Sequence, residues 1–332
     1  MEGEWNDTSL GEVVRLQRGH DLPDKKRVSG CIPVMGSFGV TGWHNEARAQ
    51  GPGVTIGRSG ASIGVVSFIR EDYWPLNTCL YVTDFQGNNP RFCFYWLSTL
   101  NLANYNSGSA QPSLNRNYIY GIRVRVPGMN EQLAIANILG MLDDKIELNR
   151  RMNETLEAIA RAIFKSWFVD FDPVRAKAEG RDPGLPKHIA DLFPDSFKDS
   201  ELREIPLTWH IVDLPDCIDF LEGPGLRNWQ YRDHGMKFLN IRCIVNGDLD
   251  IAKANAISLE EFEKSYSHFA LKEDDIVIST SGTLGRLAIV RSDHLPLMLN
   301  TSIIRMRGRA CFSLEYIWNF LQSVHFLDEM FP

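Results

Sequence analysis

The sequence predicts an α/β (α+β) protein in which two homologous modules are joined by a long coiled-coil spacer helix. Apolar side chains keep a three-four spacing over residues 131–171, which is typical of a helix. Motifs of residues 1–130 recur in the same order in residues 205–332. The intervening residues 172–204 are rich in proline, aspartate and glycine, which indicates a connecting segment. We therefore expect a module, a helix, a connection and a second module.

The recurring motifs predict that the two modules share one fold. Both glycine motifs read as strand, turn, strand, and the aromatic runs read as helix starts. Four ordered correspondences are hard to obtain by chance. They are Trp5, Leu10 and Gly19 against Trp209, Leu214 and Gly223; Ile56-Gly57-Arg58-Ser59-Gly60 against Ile278-Ser279-Thr280-Ser281-Gly282, followed by Gly64 and Gly285 with one residue of slippage; Leu76-Asn77-Thr78 against Leu299-Asn300-Thr301; and residues 92–97 against 316–321.

The helix is predicted from one narrow apolar seam. Forty positions at about 1.5 Å each make a rod of about 60 Å, which is typical of a coiled-coil strut. Asp172-Pro173 is expected to end it, because proline lacks the amide hydrogen. Periodicity alone also allows a long core helix of one large domain, which the repeat disfavours. The seam residues expected to face a partner helix are Ile135, Ile138, Leu142, Met152, Leu156, Ile159 and Ile163.

Composition bounds the class of protein. The 332 residues are 44% hydrophobic, and the polar, acidic N-terminus MEGEWNDTSL does not resemble a secretory signal. No apolar run is long enough to span a bilayer, so a cytoplasmic protein is expected. Six cysteines without a C-x-x-C pair favour reduced core thiols over disulfides or zinc. The connecting segment is expected to be partly ordered, because it contains Ile189, Leu192, Phe193 and Phe197.

The formal charge of −7 is unevenly distributed. Residues 1–130 carry 12 basic and 10 acidic side chains, residues 131–200 carry 10 and 13, and residues 201–332 carry 13 and 19. Only the first module is mildly basic, at +2, whereas the second is at −6. Any DNA contact would therefore depend on local basic clusters rather than on a global field.

Motifs that would indicate an enzyme are missing from the sequence. It contains no P-loop and no H-E-x-x-H pair. The runs closest to an amino-methyltransferase motif, Asn89-Pro90-Arg91-Phe92 and Asp172-Pro173, lack its second proline. We expect no catalytic residue, no metal site and no cofactor.

The run from Ile163 to Arg181, IFKSWFVDFDPVRAKAEGR, and the preceding LNRRMNETLEAIARA resemble the central region of the specificity subunits of type I restriction-modification systems. The turn Gly36-Ser37-Phe38-Gly39 and the module openings resemble that family's target recognition domains. The resemblance implies two such domains, each reading half of a split target in double-stranded DNA. It also implies an antiparallel helix pair that docks methyltransferase subunits, with the restriction subunit joining through the complex.

Candidate DNA contacts are polar or basic side chains in turns. Lys25, Lys26 and Arg27 could contact phosphates or form a solvated loop. Arg58 stands at a glycine turn. An arginine there can approach guanine, or it is simply an exposed residue of the turn. The remaining candidates could equally be ordinary connections: Ser37, Ser59, Ser109, Gln111, Asn115, Arg227, Asn228, Arg232, Lys237, Arg242, Ser279 and Ser281.

Two hypotheses differ in whether the chain reads DNA. One is a DNA-recognition and scaffolding subunit without activity of its own. The other is an assembly protein that does not read DNA and competes for methyltransferase subunits. The second module is followed by no counterpart of the strut helix, so the seam is expected to be covered by a second copy, a separately encoded half or a methyltransferase helix.

Overall fold

The computed structural model describes residues 5–106, 113–309, 312–323 and 326. It divides into two compact units, Met1–Arg151 and Met152–Pro332, with the boundary inside the long helix. Each unit contains both sheets and helices, as the predicted α/β class requires.

The first unit is built on a four-stranded antiparallel sheet in the order β2-β8-β5-β6. A second sheet has three strands in the order β4-β3-β7. In addition, β1 pairs with β9. The elements are β1 (Asn6–Ser9), α1 (Leu10–Val13), β2 (Arg15–Arg18), β3 (Ile32–Gly36), β4 (Gly39–His44), β5 (Gly53–Gly57), β6 (Val66–Ile69), β7 (Trp74–Pro75), β8 (Cys79–Asp84), α2 (Pro90–Ser98), α3 (Arg116–Ile119), β9 (Arg123–Val126) and α4 (Met129–Phe164), of which α4 continues into the second unit.

Helix α2 shows how local sequence directs this packing. The Asn89 side chain caps it by accepting a hydrogen bond from the Phe92 amide at 2.9 Å, and Pro90 occupies its first turn. Phe92, Trp96 and their neighbours Cys93 and Leu97 are buried in the main core with the strands of the four-stranded sheet. Most of this aromatic run therefore belongs to the core of the first module.

The second unit repeats this plan. Its four-stranded sheet has the order β12-β20-β17-β18 and its three-stranded sheet the order β16-β13-β19. The elements are α5 (Asp172–Ala178), α6 (Lys187–Ala190), β10 (Phe197–Lys198), β11 (Ile205–Pro206), α7 (Leu214–Cys217), β12 (Ile218–Glu222), β13 (Met236–Phe238), β14 (Ile244–Val245), β15 (Asp248–Leu249), β16 (Asn255–Ile257), α8 (Leu259–Glu261), β17 (Ile276–Ser279), β18 (Leu287–Ile289), β19 (Leu297–Met298), β20 (Ile303–Gly308) and α9 (Leu314–Leu321).

Equivalent glycines confirm the duplication. A side chain at Gly19 would collide with the Leu76 carbonyl, and one at Gly223 would collide with the Asn300 carbonyl. Leu76 is therefore equivalent to Asn300, and the sequence correspondence with Leu299 was wrong by one residue. Hydrogen bonds give the same register, because Asn77 N donates to His20 O and Thr301 N donates to Pro224 O.

The long helix begins and ends close to the predicted positions. Helix α4 is 36 residues long, and the π-helix Lys165–Val169 follows it directly. Asp172-Pro173 does not simply stop it, because Phe171 turns the chain with a φ of 58° and the proline then occupies the first turn of α5. Among the described residues, no helix is long and apolar enough to cross a membrane.

The connecting segment has its own small core. Phe171, Val174 and Phe193 are buried there, with Ile189, Phe197 and Trp209 packed around them. The expectation that Leu192 is also buried was wrong, since this side chain is 75% exposed.

Candidate nucleic-acid interface

A basic turn follows β2 in the first module. Residues Asp24–Lys26 form one turn of 3₁₀-helix that leaves Lys25 and Lys26 exposed. Arg27 is directed inward, since its guanidinium pairs with Asp24 at 2.8 Å and donates to the Thr41 carbonyl of β4 at 3.0 Å. The two lysines are therefore placed for phosphate contact, whereas Arg27 holds the turn against β4.

A second polar group surrounds the end of β5. The Ser37 hydroxyl donates to the Thr78 carbonyl at 2.7 Å, and the Arg58 amide donates to the same carbonyl at 3.0 Å. The Arg58 guanidinium donates to the Asn77 carbonyl at 3.3 Å and to the Ser113 hydroxyl at 3.4 Å. Partial burial lowers the pKa of this guanidinium from its ordinary value, and repulsion from Arg18 adds to the shift. The long contacts leave Arg58 donors available to a base edge.

Residues 113–115, beside the candidates Ser109 and Gln111, contact this polar group. Ser59 and Ser113 form a β-bridge, and the Arg58 carbonyl accepts from the Leu114 amide at 2.8 Å. Asn115 is exposed and caps α3, because its side chain accepts from the Asn117 amide at 3.0 Å. Ser109 and Gln111 lie outside the described residues.

The second module carries a 3₁₀ turn at the same place. Residues Asn228–Gln230 follow β12 at the same offset of 204 residues that relates Gly223 to Gly19. Arg227 and Asn228 are exposed, and so is Trp229, at 73%. The Arg232 guanidinium donates to the Trp229 carbonyl at 2.9 Å, which closes the turn. Module two therefore presents arginine, asparagine and an indole where module one presents two lysines.

The other candidates of the second module differ in accessibility. Lys237 is exposed on β13, and Ser281 is exposed in the turn after β17. Arg242 is exposed, although it donates to the Lys253 carbonyl at 3.0 Å and to the Asn255 side chain.

Ser279 is a correction to the sequence prediction. It is fully buried, its hydroxyl donates to the Thr283 carbonyl at 2.6 Å and accepts from the Arg286 amide at 2.9 Å. Both hydrogen bonds close the turn between β17 and β18. Ser279 therefore shapes the turn and cannot reach DNA in this conformation.

Sequence reasoning missed how the first module holds the long helix. The Arg91 guanidinium donates to the Gly140 carbonyl at 2.9 Å and pairs with Asp144 at 2.6 Å, and Arg70 also pairs with Asp144. Hydrogen bonding from Arg91 lowers the pKa of the Asp144 carboxyl. The Tyr95 hydroxyl donates to Asp143 at 2.5 Å. The acidic pair Asp143 and Asp144, which lies off the seam, was the available signal in the sequence.

The start of the helix is fixed by a buried amide. Gln132 accepts from the Asn89 amide at 3.0 Å and donates to the Asn88 side chain at 2.7 Å and to the Pro127 carbonyl at 3.0 Å. Because it satisfies both ends of its amide, Gln132 can be buried without an unpaired polar group. The first module and the first turns of α4 are thus joined by directional bonds.

The apolar seam of α4 is exposed over most of its length. Ile135 is an exception, since it is half-buried against the core of the first module. Met141 and Leu148, which the prediction omitted, are exposed as well. The other predicted seam side chains are 43–58% exposed: Ile138, Leu142, Met152, Leu156, Ile159 and Ile163.

Comparison with known proteins finds a family model that matches part of the chain. Residues 2–158 match the family model described as the type I restriction modification DNA specificity domain. Over this stretch the chain is similar to the specificity subunits of type I restriction enzymes. The match includes the basic turn, the Arg58 group and most of α4.

Individual members of this family resemble different parts of the chain. The HindI specificity subunit of Haemophilus influenzae is 47% identical over 81 residues, which is 24% of this chain and 18% of that protein. The MjaIX specificity subunit of Methanocaldococcus jannaschii is 25% identical over 277 residues, which is 82% of this chain and 57% of that protein. The chain thus spans about half or less of the curated relatives it matches.

A solved structure shares the fold. The type I restriction-modification S subunit from M. genitalium superposes with a TM-score of 0.55 at 14% sequence identity, covering 99% of this chain and 78% of that one. At this identity the similarity concerns the fold alone.

Proposed function

We propose that this chain is a non-catalytic subunit that recognises a bipartite DNA sequence for a type I restriction-modification complex. One observation carries the proposal: two modules with the same sheet order present turns with exposed side chains at equivalent places, Lys25 and Lys26 in Asp24–Lys26 and Asn228 and Trp229 in Asn228–Gln230. Because the two turns differ in chemistry, each module would read a different half-site. Methyl transfer and cleavage would belong to partner subunits.

Each module would combine positioning with reading. Lys25 and Lys26 are suited to phosphates, which fix orientation without carrying sequence information. Arg58 is suited to a guanine edge, where an arginine can donate two hydrogen bonds. In the second module, Arg227, Asn228 and Lys237 would serve the same purposes.

The helix α4 would be the docking element for methyltransferase subunits. Its seam exposes several large apolar side chains, and covering each one is worth about 1.5–3 kcal/mol. Such a three-four stripe fits a partner protein that contributes a helix with a complementary apolar face. In the absence of methyltransferase subunits, the same helix of a second copy would cover the seam.

Sedimentation of the purified chain tests the helix. Replacing Leu142, Leu156 and Ile159 with glutamine should abolish self-association at micromolar concentration, because the buried apolar area is lost. Leu133→Gln is the matched control, since Leu133 is also exposed on α4 but lies off the seam. A wild-type chain that stays monomeric and well folded would contradict self-association through this helix.

Selection from randomised duplexes, with methyltransferase subunits present, tests DNA reading. The proposal predicts enrichment of two short motifs separated by base pairs of arbitrary sequence. The alternative, an assembly protein that competes for methyltransferase subunits without reading DNA, is favoured by the charge of −6 on residues 201–332. Under that alternative no motif would be enriched although the methyltransferase subunits still bind.

A further inference from the structure

The hairpin of β3 and β4 ends in an exposed aromatic side chain. The strands Ile32–Gly36 and Gly39–His44 are joined by Ser37 and Phe38, and Phe38 is 73% exposed. Val40 and Trp43 on β4 are exposed as well. An irregularity in the pairing between Val34 and Met35 adds twist to this hairpin, whose end beyond Met35 extends past the short third strand β7. Burying Phe38 would release a large apolar surface from water.

The tip is held rigidly on both sides. The Ser37 hydroxyl donates to the Thr78 carbonyl at 2.7 Å, and a side chain at Gly57 would collide with the Ser37 carbonyl. On the other strand, the Arg27 guanidinium donates to the Thr41 carbonyl at 3.0 Å. The hairpin therefore connects the basic turn to the Arg58 group. Phe38 stands on the ribbon that joins these two candidate DNA-contacting groups.

Two acidic side chains near the hairpin are already engaged. Asp24 pairs with Arg27 at 2.8 Å, and the Asp21 carboxyl accepts a hydrogen bond from the Asn77 side chain. Lys25 and Lys26 are exposed on the adjoining turn. The surroundings of the apolar tip are thus suited to a polyanion rather than to an apolar protein surface.

We propose that the β3–β4 tip enters the major groove of the first half-site and that Phe38 contacts the C5-methyl group of a thymine. The major groove is wide enough for a two-stranded ribbon, and an aromatic side chain contacts the thymine methyl there. This inference rests on the proposed function and adds a specificity-determining residue to it. Phe38 would select thymine at one position, beside the position that Arg58 reads.

Deoxyuridine substitution provides the test, because uracil pairs as thymine does but lacks the methyl group. In the duplex enriched by the wild-type chain with methyltransferase subunits, each thymine of the half-site that Arg58→Ala affects is replaced in turn. One replacement should weaken binding about fourfold, the value of one buried methyl group. Phe38→Ala should bind the thymine and uracil duplexes equally. Leu192→Ala, which removes another exposed apolar side chain, should keep the fourfold difference.

The outcomes separate this inference from the proposed function. If no split motif is enriched, the proposed function fails. If the motif is enriched but uracil has no effect, or has the same effect on Phe38→Ala, only the role of Phe38 is overturned. A half-site without a thymine would overturn it as well. A rise in 2-aminopurine fluorescence on binding, lost in Phe38→Ala and unaccompanied by a methyl effect, would mean that the ring unstacks a base step instead.

Discussion

The turn after β5 and the turn after β17 occupy the same place in the two modules but are closed differently. In module one, the Gly57 carbonyl accepts a hydrogen bond from the Gly64 amide at 2.8 Å. In module two, the Ser279 carbonyl accepts one from the Gly285 amide at 2.9 Å. Gly57 has no space for a side chain, because the carbonyls of Ser37 and Ser62 approach it. Ser279 instead uses its hydroxyl to close the turn.

The next residue differs in chemistry between the two modules. The Arg58 amide donates to the Thr78 carbonyl, and the Thr280 amide donates to the Ser302 carbonyl. Each acceptor lies just before the neighbouring strand begins. The backbone position is the same, but one module presents a guanidinium and the other a short hydroxyl side chain. The comparison teaches that the sheets fix where a side chain stands, whereas the turn sequence decides what it can recognise.

Exchanging the two turn residues should have the largest effect. Gly57→Ser should destabilise module one by about 3 kcal/mol, because the added atoms overlap two carbonyls. Ser279→Gly should cost only about 1–2 kcal/mol, for two hydrogen bonds in a turn. Hydrogen exchange in increasing urea, followed on peptides covering residues 53–69 and 276–289, measures both. Equal losses would show that the turns are not built differently.

Arg58 offers a sharper comparison at the level of binding. Arg58→Ala should cost about 1–3 kcal/mol on the preferred duplex and relax specificity at one position, as expected for a lost base contact. Thr280→Ala is the matched control at the equivalent position and should change specificity little. Binding titrations on single-base variants of the selected duplex decide this. A uniform loss on all sequences would mean that Arg58 contacts a phosphate.

The basic turns should differ in salt dependence. Lys25→Ala with Lys26→Ala should lower the slope of log K against log salt by about two, one for each lost phosphate contact. Arg27→Ala should mainly destabilise the hairpin, since its guanidinium is used inside the module. Titrations between low and moderate salt give the slopes. An unchanged slope in the lysine variant would remove this turn from the interface.

Local sequence was sufficient for the elements that repeat. The glycines at Gly60 and Gly64 and their partners Gly282 and Gly285 all adopt positive φ, so the glycine spacing alone identified the turn. The three-four spacing likewise identified α4, together with the π-helix that follows it, to within two residues at each end. Such signals depend on the backbone conformation of neighbouring residues, which a single sequence reveals.

Contacts between distant residues could not be predicted in this way. Asp144 is bound by Arg70 and Arg91, which lie 74 and 53 residues earlier in the chain. The sequence did not reveal that Ile135 packs on the core of the first module, because a three-four spacing does not distinguish a partner helix from the core of the chain's own module. Ser279 failed for a related reason, since a serine in a turn motif is either exposed or closes the turn, and only the fold decides.

The most direct test of one half-site per module is a pair of selections on randomised duplexes, run with methyltransferase subunits. Arg58→Ala should lose base preference in one half of the split motif and leave the other half unchanged. Arg227→Ala with Asn228→Ala, two exposed residues of the second module, should do the reverse. Loss of preference in the same half by both variants, or a uniform loss across the motif, would contradict the assignment of one half-site to each module.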